Sequence, residues 1–313
     1  MVGGRGFRHQ WWSCYVEELV DHEDPDGHGT HVSGTIAAVD NTIGVIGTAP
    51  KTKIYALRLF TWDRMEVAAA INYTVNTLLA NIIVITVTYS DNYTELYSAC
   101  KSAYENGALL FAAAGNQNSS VRYPAKYDNY VIAVGAVNKS DQRWVNPATG
   151  EGSNFGRELE LVAPGVNVNS TVLNGGYALM TGTSMACPHV AAAAALIWSS
   201  KIDPEYDFNG DGYWDNVEVR YKLRDLALDL GSAGKDDYYG FGLINAWATN
   251  QRPLGDINLD NFVDIEDLYT ACLAYGSYPG HPAWNPTADI KIDNFVDMED
   301  IYIISNNYGK TDP

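Results

Sequence analysis

From residue 54 the chain alternates short apolar runs with amphipathic stretches. Apolar runs at 54–59, 82–87, 108–114 and 130–137 are not broken by polar alternation, which predicts strands buried on both faces. The stretches 67–79 and 96–106 carry apolar residues at helical spacing between them. Strands joined by helices predict parallel crossovers, and hence a doubly wound αβα sandwich of the α/β class with a mostly parallel sheet.

Between 123 and 173 Gly, Pro, Asn and Ser become frequent, which predicts loops and hairpins with a short strand over 161–165. The strongest helical pattern follows at 184–200, Ala-rich and apolar nearly all round, as a central buried helix requires. Pro188 is expected in its first turn, where a missing amide costs little.

The division predicted is a large domain over 1–249, a linker at 250–254 and a small helical domain over 255–313. The last contains a repeat, in which 255–269 recurs as 288–302, so one loop-helix unit is used twice, paired about a pseudo-two-fold.

Composition and charge change this picture in four ways. Apolar residues make up 46% of 313 positions, enough for a packed core. The net charge of -18 opposes nucleic-acid or anionic-membrane partners but suits calcium. No apolar run is long enough to span a bilayer. The cysteines, Cys14, Cys100, Cys187 and Cys272, form no CxxC pair, so buried free thiols are expected.

Three segments carry chemistry: Asp26-Gly27-His28-Gly29-Thr30-His31-Val32-Ser33-Gly34-Thr35, Ala112-Ala113-Ala114-Gly115-Asn116, and Gly182-Thr183-Ser184-Met185-Ala186-Cys187-Pro188-His189-Val190. Serine acyl transfer needs a hydroxyl, an imidazole to take its proton and fixed donors for the oxyanion. Ser184 at a helix start would aim its own N–H at developing negative charge, and Asn116 at a strand end would add a side-chain amide. A histidine or serine met alone would more often be a cap or a loop residue.

Together, in this order, the three segments resemble the subtilase family of serine peptidases, over about 2–247. The resemblance implies an endopeptidase acting on protein or peptide substrates, with His28 as base, Ser184 as nucleophile and Asn116 as oxyanion donor. His31 and His189 match non-catalytic positions. An extracellular or cell-surface location is implied as well.

The sequence departs from the family at two places. The family's triad Asp closes an apolar strand some thirty residues before the histidine, and nothing similar precedes His28; Asp21, Asp24 and Asp26 read as loop carboxylates. The expectation is that the first strand and its Asp lie upstream of Met1, that this chain is nearly inactive without them, and that it aggregates through the exposed neighbours of that strand. The second departure is Val87-Thr88-Tyr89-Ser90, where the resemblance implies a strand end that pairs with substrate backbone.

Calcium is the expected cofactor. Residues 207–218 fill an EF-hand loop template, with Asp207, Asn209, Asp211, Tyr213, Asp215 and Glu218 as ligands and Gly212 at position six. An insertion of this kind would stabilise the large domain. The C-terminal repeat resembles dockerin modules, which implies calcium loops at Asp256, Asn258, Asp260, Asp264 and Asp267 and at Asp289, Asp293, Asp297 and Asp300, and a cohesin-type partner. Lys291, at the third position of the second loop, is expected to weaken that site. The competing reading, from another class, is a calcium-dependent interaction protein whose protease fold does not cut.

Overall fold

A glycine-rich strand that the apolar pattern does not announce comes first. Strand β1 (Gly3–His9) pairs antiparallel with β2 (Val16–Leu19) and parallel with β3 (Tyr55–Leu59), giving a three-stranded sheet in the order β2-β1-β3. Helix α1 (His28–Ala37) lies between β2 and β3. The computed structural model describes residues 3–9, 16–19, 22–246, 255–258, 262–285, 287–291 and 294–309.

Helix α2 (Arg64–Tyr73), continued by a π turn over Thr74–Leu78, crosses to a second sheet. There β4 (Ile82–Ile85), β5 (Leu109–Ala113), β6 (Val131–Val137) and β7 (Leu159–Pro164) lie parallel in the order β4-β5-β6-β7, with α3 (Thr94–Glu105) joining the first two. Every residue of β5 and β6 is buried, which is why their sequences run unbroken through Leu, Phe, Ala, Val and Ile.

One face of this sheet is covered by α4 (Thr183–Ser199) and α5 (Asn216–Asp225), whose Ala191, Ala194, Val219 and Leu223 pack with Phe111 and Val134. On the other face Val67 and Ile71 of α2 and Leu96 and Cys100 of α3 pack with Leu110 and Ala133. The arrangement is an α/β fold with a parallel sheet between helical layers. Strands β8 (Val168–Val172) and β9 (Gly176–Met180) form an antiparallel hairpin before α4.

The two sheets do not join. α2 packs on β1 and β3 and shares a buried cluster with Ile83 and Ile85 of β4, yet no ladder connects β3 to β4 among the described residues. Among the described residues β3 and β4 are therefore edge strands of separate sheets.

Several details differ from expectation. Pro188 stands in the second turn of α4, where its missing N–H leaves the carbonyl of Ser184 without an intrahelical donor. The segment 239–246, which the resemblance implies to be a closing strand, is not a full strand; Leu243 makes single bridges to Val162 and Leu228, because its glycines at 240 and 242 turn with positive φ. Cys100 and Cys187 are buried and free, but Cys272 is exposed, and Cys14 lies outside the described residues. The linker 250–254 also lies outside them.

Behind β7 sits a buried charge cluster. Glu160, 2% exposed, accepts from Arg220 Nε at 2.8 Å and Arg224 Nε at 2.9 Å, while Arg220 also donates to the carbonyl of Asn129. Burial alone would raise the Glu160 carboxyl, but the two guanidiniums hold it down to about 2.

Near the C-terminus α6 (Ile265–Ala274) and α7 (Met298–Asn306) pack together. Gly276 N–H donates to Val296 O at 2.8 Å and Gly309 N–H to Val263 O at 2.7 Å. These bonds are the same one with the partners exchanged by the repeat, so the two units are related by a local pseudo-two-fold.

Candidate active site

The geometry at the carboxyl ends of β4 and β5 begins with Gly182. Its φ of 157° and ψ of 168° are open to glycine alone, and a Cβ there would stand 3.1 Å from the Asn116 Nδ2. Gly182 therefore lets the start of α4 close on the end of β5. Thr183 then donates twice to Asn116 Oδ1, from its N–H at 2.9 Å and its Oγ1 at 2.8 Å, and its Oγ1 accepts from Gly115 N–H at 3.1 Å.

With Oδ1 fixed in this way, the Asn116 amide has one possible orientation. Its Nδ2 is left as a directed donor beside the first turn of α4, with no acceptor among the described residues. Asn154 supports the same turn, accepting from Gln117 N–H at 2.8 Å and donating to Ala114 O at 3.1 Å. Thr183 and Asn154 were not singled out by sequence; the only signal for Thr183 is its place beside the serine.

Ser184 is the second residue of α4, and its Oγ donates to Thr86 O at 3.2 Å. His28 opens α1, which packs against α4. No hydrogen bond joins His28 to Ser184 among the described residues. Burial lowers the His28 imidazole below its ordinary 6.5, against the charges of Asp26 and Asp24.

The nearby carboxylates are committed elsewhere. Asp24 accepts from the N–H groups of Asp26, Gly27 and Thr30 and from Thr30 Oγ1, and Asp26 accepts from the backbone of His28 at 2.7 Å. Burial would raise the Asp24 carboxyl, but these bonds, Thr30 foremost, hold it below its ordinary value. No described carboxylate bonds the His28 ring, and Asp21 lies outside the described residues.

His31 and His189 serve the scaffold. His31 is fully buried with Nε2 at 3.0 Å from Val168 O and 3.1 Å from Ala178 O, which ties α1 to the β8–β9 hairpin. His189 Nδ1 bonds Met185 O one helical turn back, and burial lowers its imidazole.

Away from this end, three acidic loops share one clasp. Glu218 accepts from Phe208 N–H at 3.0 Å and Asp215 N–H at 2.8 Å; Asp267 accepts from Ile257 and Asp264, and Asp300 from Ile290 and Asp297, in matching order. In each loop the ninth residue, Asp215, Asp264 or Asp297, also caps the following helix. The sixth residue turns with positive φ in the first and third loops, 78° at Gly212 and 67° at Asn294, and its N–H reaches the first carboxylate, Asp207 or Asp289. Asn substitutes for Gly here because its short polar side chain tolerates that region.

Asp207 Oδ1 is buried without a hydrogen-bond partner. Burial first, then the charges of Asp215 and Asp207, push the Glu218 carboxyl up to about 7. Lys291, at the third position of its loop, pairs with Glu299. Among the described residues no three acidic, histidine or cysteine side chains gather into a ready-made metal centre. Asp260 and Asp293 lie outside the described residues; Asp256, Asp267, Asp289 and Asp300 are buried.

The comparisons with known proteins agree with the motifs. The pattern of the subtilase family matches residues 8–242. Subtilisin BL of Lederbergia lenta is 38% identical over 244 residues, covering 76% of this chain and 83% of that protein. The subtilisin of Bacillus pumilus is 39% identical over 252 residues, covering 76% and 82%. Subtilisin E of Bacillus subtilis (strain 168) is also 39% identical, covering 76% and 60%. With matches of this extent running through the histidine, asparagine and serine segments, the chain belongs to the subtilase family.

Proposed function

We propose that this chain is a serine endopeptidase in which Ser184 is the nucleophile, His28 the general base and Asn116 the oxyanion donor. The observation that carries the reading is the Asn116 carboxamide, locked through Oδ1 by Thr183 so that Nδ2 is presented beside Ser184. Ser184 Oγ attacks the scissile carbonyl carbon as its proton passes to His28. The carbonyl oxygen, now an anion, is held by Asn116 Nδ2 and the Ser184 N–H at the positive end of α4. His28 then returns the proton to the leaving amine, and water releases the acyl group.

The test is labelling by a fluorophosphonate, with Ser184→Ala as control. Stoichiometric labelling that disappears in the control is expected. Its rate should rise with pH through a midpoint below 6.5, because burial favours the neutral imidazole that the reaction needs. A folded chain that takes no label would favour the second reading, a calcium-dependent interaction protein. That reading draws on the His28 ring, which no described carboxylate bonds.

Calcium is the cofactor in this reading, stabilising rather than catalytic. Asp207, Asn209, Asp211, Asp215 and Glu218, with the carbonyl of Tyr213, would hold one ion, and the orphaned Asp207 Oδ1 is the atom that asks for it. Two further ions would sit at Asp256, Asn258, Asp260, Asp264 and Asp267 and at Asp289, Asp293, Asp297 and Asp300. Binding to the folded chain alone raises its stability by about 2.7 kcal/mol at one hundred times the dissociation constant. A chelator should therefore lower the melting temperature, and Asp207→Ala should remove part of that dependence. A melting curve indifferent to calcium would sink the assignment.

The division into an enzyme domain over 1–249, a linker at 250–254 and a dockerin-like domain over 255–313 belongs to the same reading. The repeat supports a docking role for the last: Phe262, Ile265 and Tyr269 recur as Phe295, Met298 and Tyr302, and all six are exposed. A cohesin-type domain is the partner proposed, and the location extracellular or at the cell surface. No helix among the described residues is long and apolar enough to cross a membrane.

A further inference from the structure

The ends of β4 and β5 part company beside Ser184. Their pairing stops at Ile85 with Ala112, after which Tyr89 pairs antiparallel with Tyr123, with N–O distances of 2.8 and 3.0 Å. On the other side Ala114 O accepts from Arg122 N–H at 3.0 Å. The segment 121–123 is thus stitched between the two strand ends. One of those ends carries Thr86, which accepts from Ser184 Oγ, and the other carries Asn116.

Val121 and Tyr123 both pack into the cluster under α2 and α3. In an extended segment the residue between them turns to the opposite face, the face on which α4 begins with Ser184. That residue is Arg122. It is half-buried, and among the described residues its guanidinium has no hydrogen bond, ion pair or aromatic partner.

Three other cations of the large domain are engaged. Arg64 lies 4.0 Å from Asp91 and stacks on Tyr93; Lys126 lies 3.9 Å from Glu158; Arg143 donates to Asn118 Oδ1 and Ser153 O and stacks on Phe155. In a chain of net charge -18 a partly desolvated arginine left unpaired beside the reacting groups is an unmet demand for a carboxylate.

We propose that Arg122 is a specificity-determining residue, which receives the Glu or Asp side chain of the substrate residue whose carbonyl Ser184 attacks. The proposal rests on the proteolytic reading for the position of the scissile bond. Its planar fork suits a carboxylate, and an acidic side chain entering between the strand ends would be discriminated from its amide by charge alone.

The experiment separates the two readings. Fluorescent tetrapeptide amides that differ only in a last residue of Glu, Gln, Phe or Lys are titrated by anisotropy into the full chain carrying Ser184→Ala, with and without Arg122→Glu or Arg122→Gln. Fluorophosphonate labelling is followed in parallel on the chain with Ser184 intact. The Glu peptide is expected to bind about tenfold more tightly than the Gln peptide. Arg122→Gln should abolish that preference and Arg122→Glu should shift it to Lys. Equal affinities, failure of the Glu peptide to bind, or a Glu preference that survives in both variants overturns the proposal. A Glu preference without labelling would instead overturn the proteolytic reading and keep Arg122 as the acid receptor.

Discussion

Asn116→Leu should slow phosphonylation and turnover by roughly two to three decades, about 3–4 kcal/mol of barrier, the size known for the like-placed asparagine of subtilisin rather than one derived from this chain. Leucine keeps the volume and removes both the donor and the acceptor. The Thr183 N–H and Oγ1 would lose their partner as well. The decisive pattern is a fall in kcat/KM through kcat, with peptide affinity retained, because the oxyanion exists only in the transition state. A variant that loses binding and rate together would place Asn116 in the scaffold.

The second large effect concerns stability. Glu160→Gln leaves two guanidiniums facing an uncharged amide inside the protein, and breaking a buried pair from one side costs roughly 3–5 kcal/mol. Against a total of about 5–15 kcal/mol, the variant should melt many degrees lower in a denaturant or thermal scan. The same group sets an acid limit. Its folded value near 2 lies below the ordinary 4.5, so its contribution is fully present above 4.5 and is lost as pH falls towards 2. A Glu160→Gln chain should lose less stability over that interval than the parent. Parallel acid titrations of the two would refute the assignment.

How far the chain could be read in advance depended on where its side chains went. Strands β4 to β7 and helix α4 are buried on nearly all sides, so their apolar runs stood out; β5 and β6 have no exposed residue at all. Strand β1 escaped because Gly3, Gly4 and Gly6 alternate with Arg5 and Phe7, a pattern that becomes a strand only through its parallel pairing with β3. The chemistry of Ser184, His28 and Asn116 was legible from their neighbours. Thr183 and Asn154 were not, since a threonine opening a helix and an asparagine in a loop acquire a role only when folding brings 183 next to 116 and 154 next to 114. Arg122 escaped for the same reason.

The pairing of Lys291 is a feature that position in the loop did not announce. Its charge is answered by Glu299, eleventh in the same loop, while the clasp made by Asp300 matches that of Glu218 and Asp267. Backbone donors to the twelfth residue shape loops of this kind, the N–H of the third residue among them.

The break between β3 and β4 makes the molecule energetically uneven. Helix α2 and its π turn are the covalent bridge over that break, so β1, β2 and β3 lack the ladder that would fasten them to β4 through β7. Opening of the small sheet need not wait for global unfolding, and its amides should exchange with solvent at a lower free energy than those of β5 and β6. Helix α1 is held to the other half, through α4 and the β8–β9 hairpin, so His28 stays with Ser184 and Asn116 while the small sheet opens.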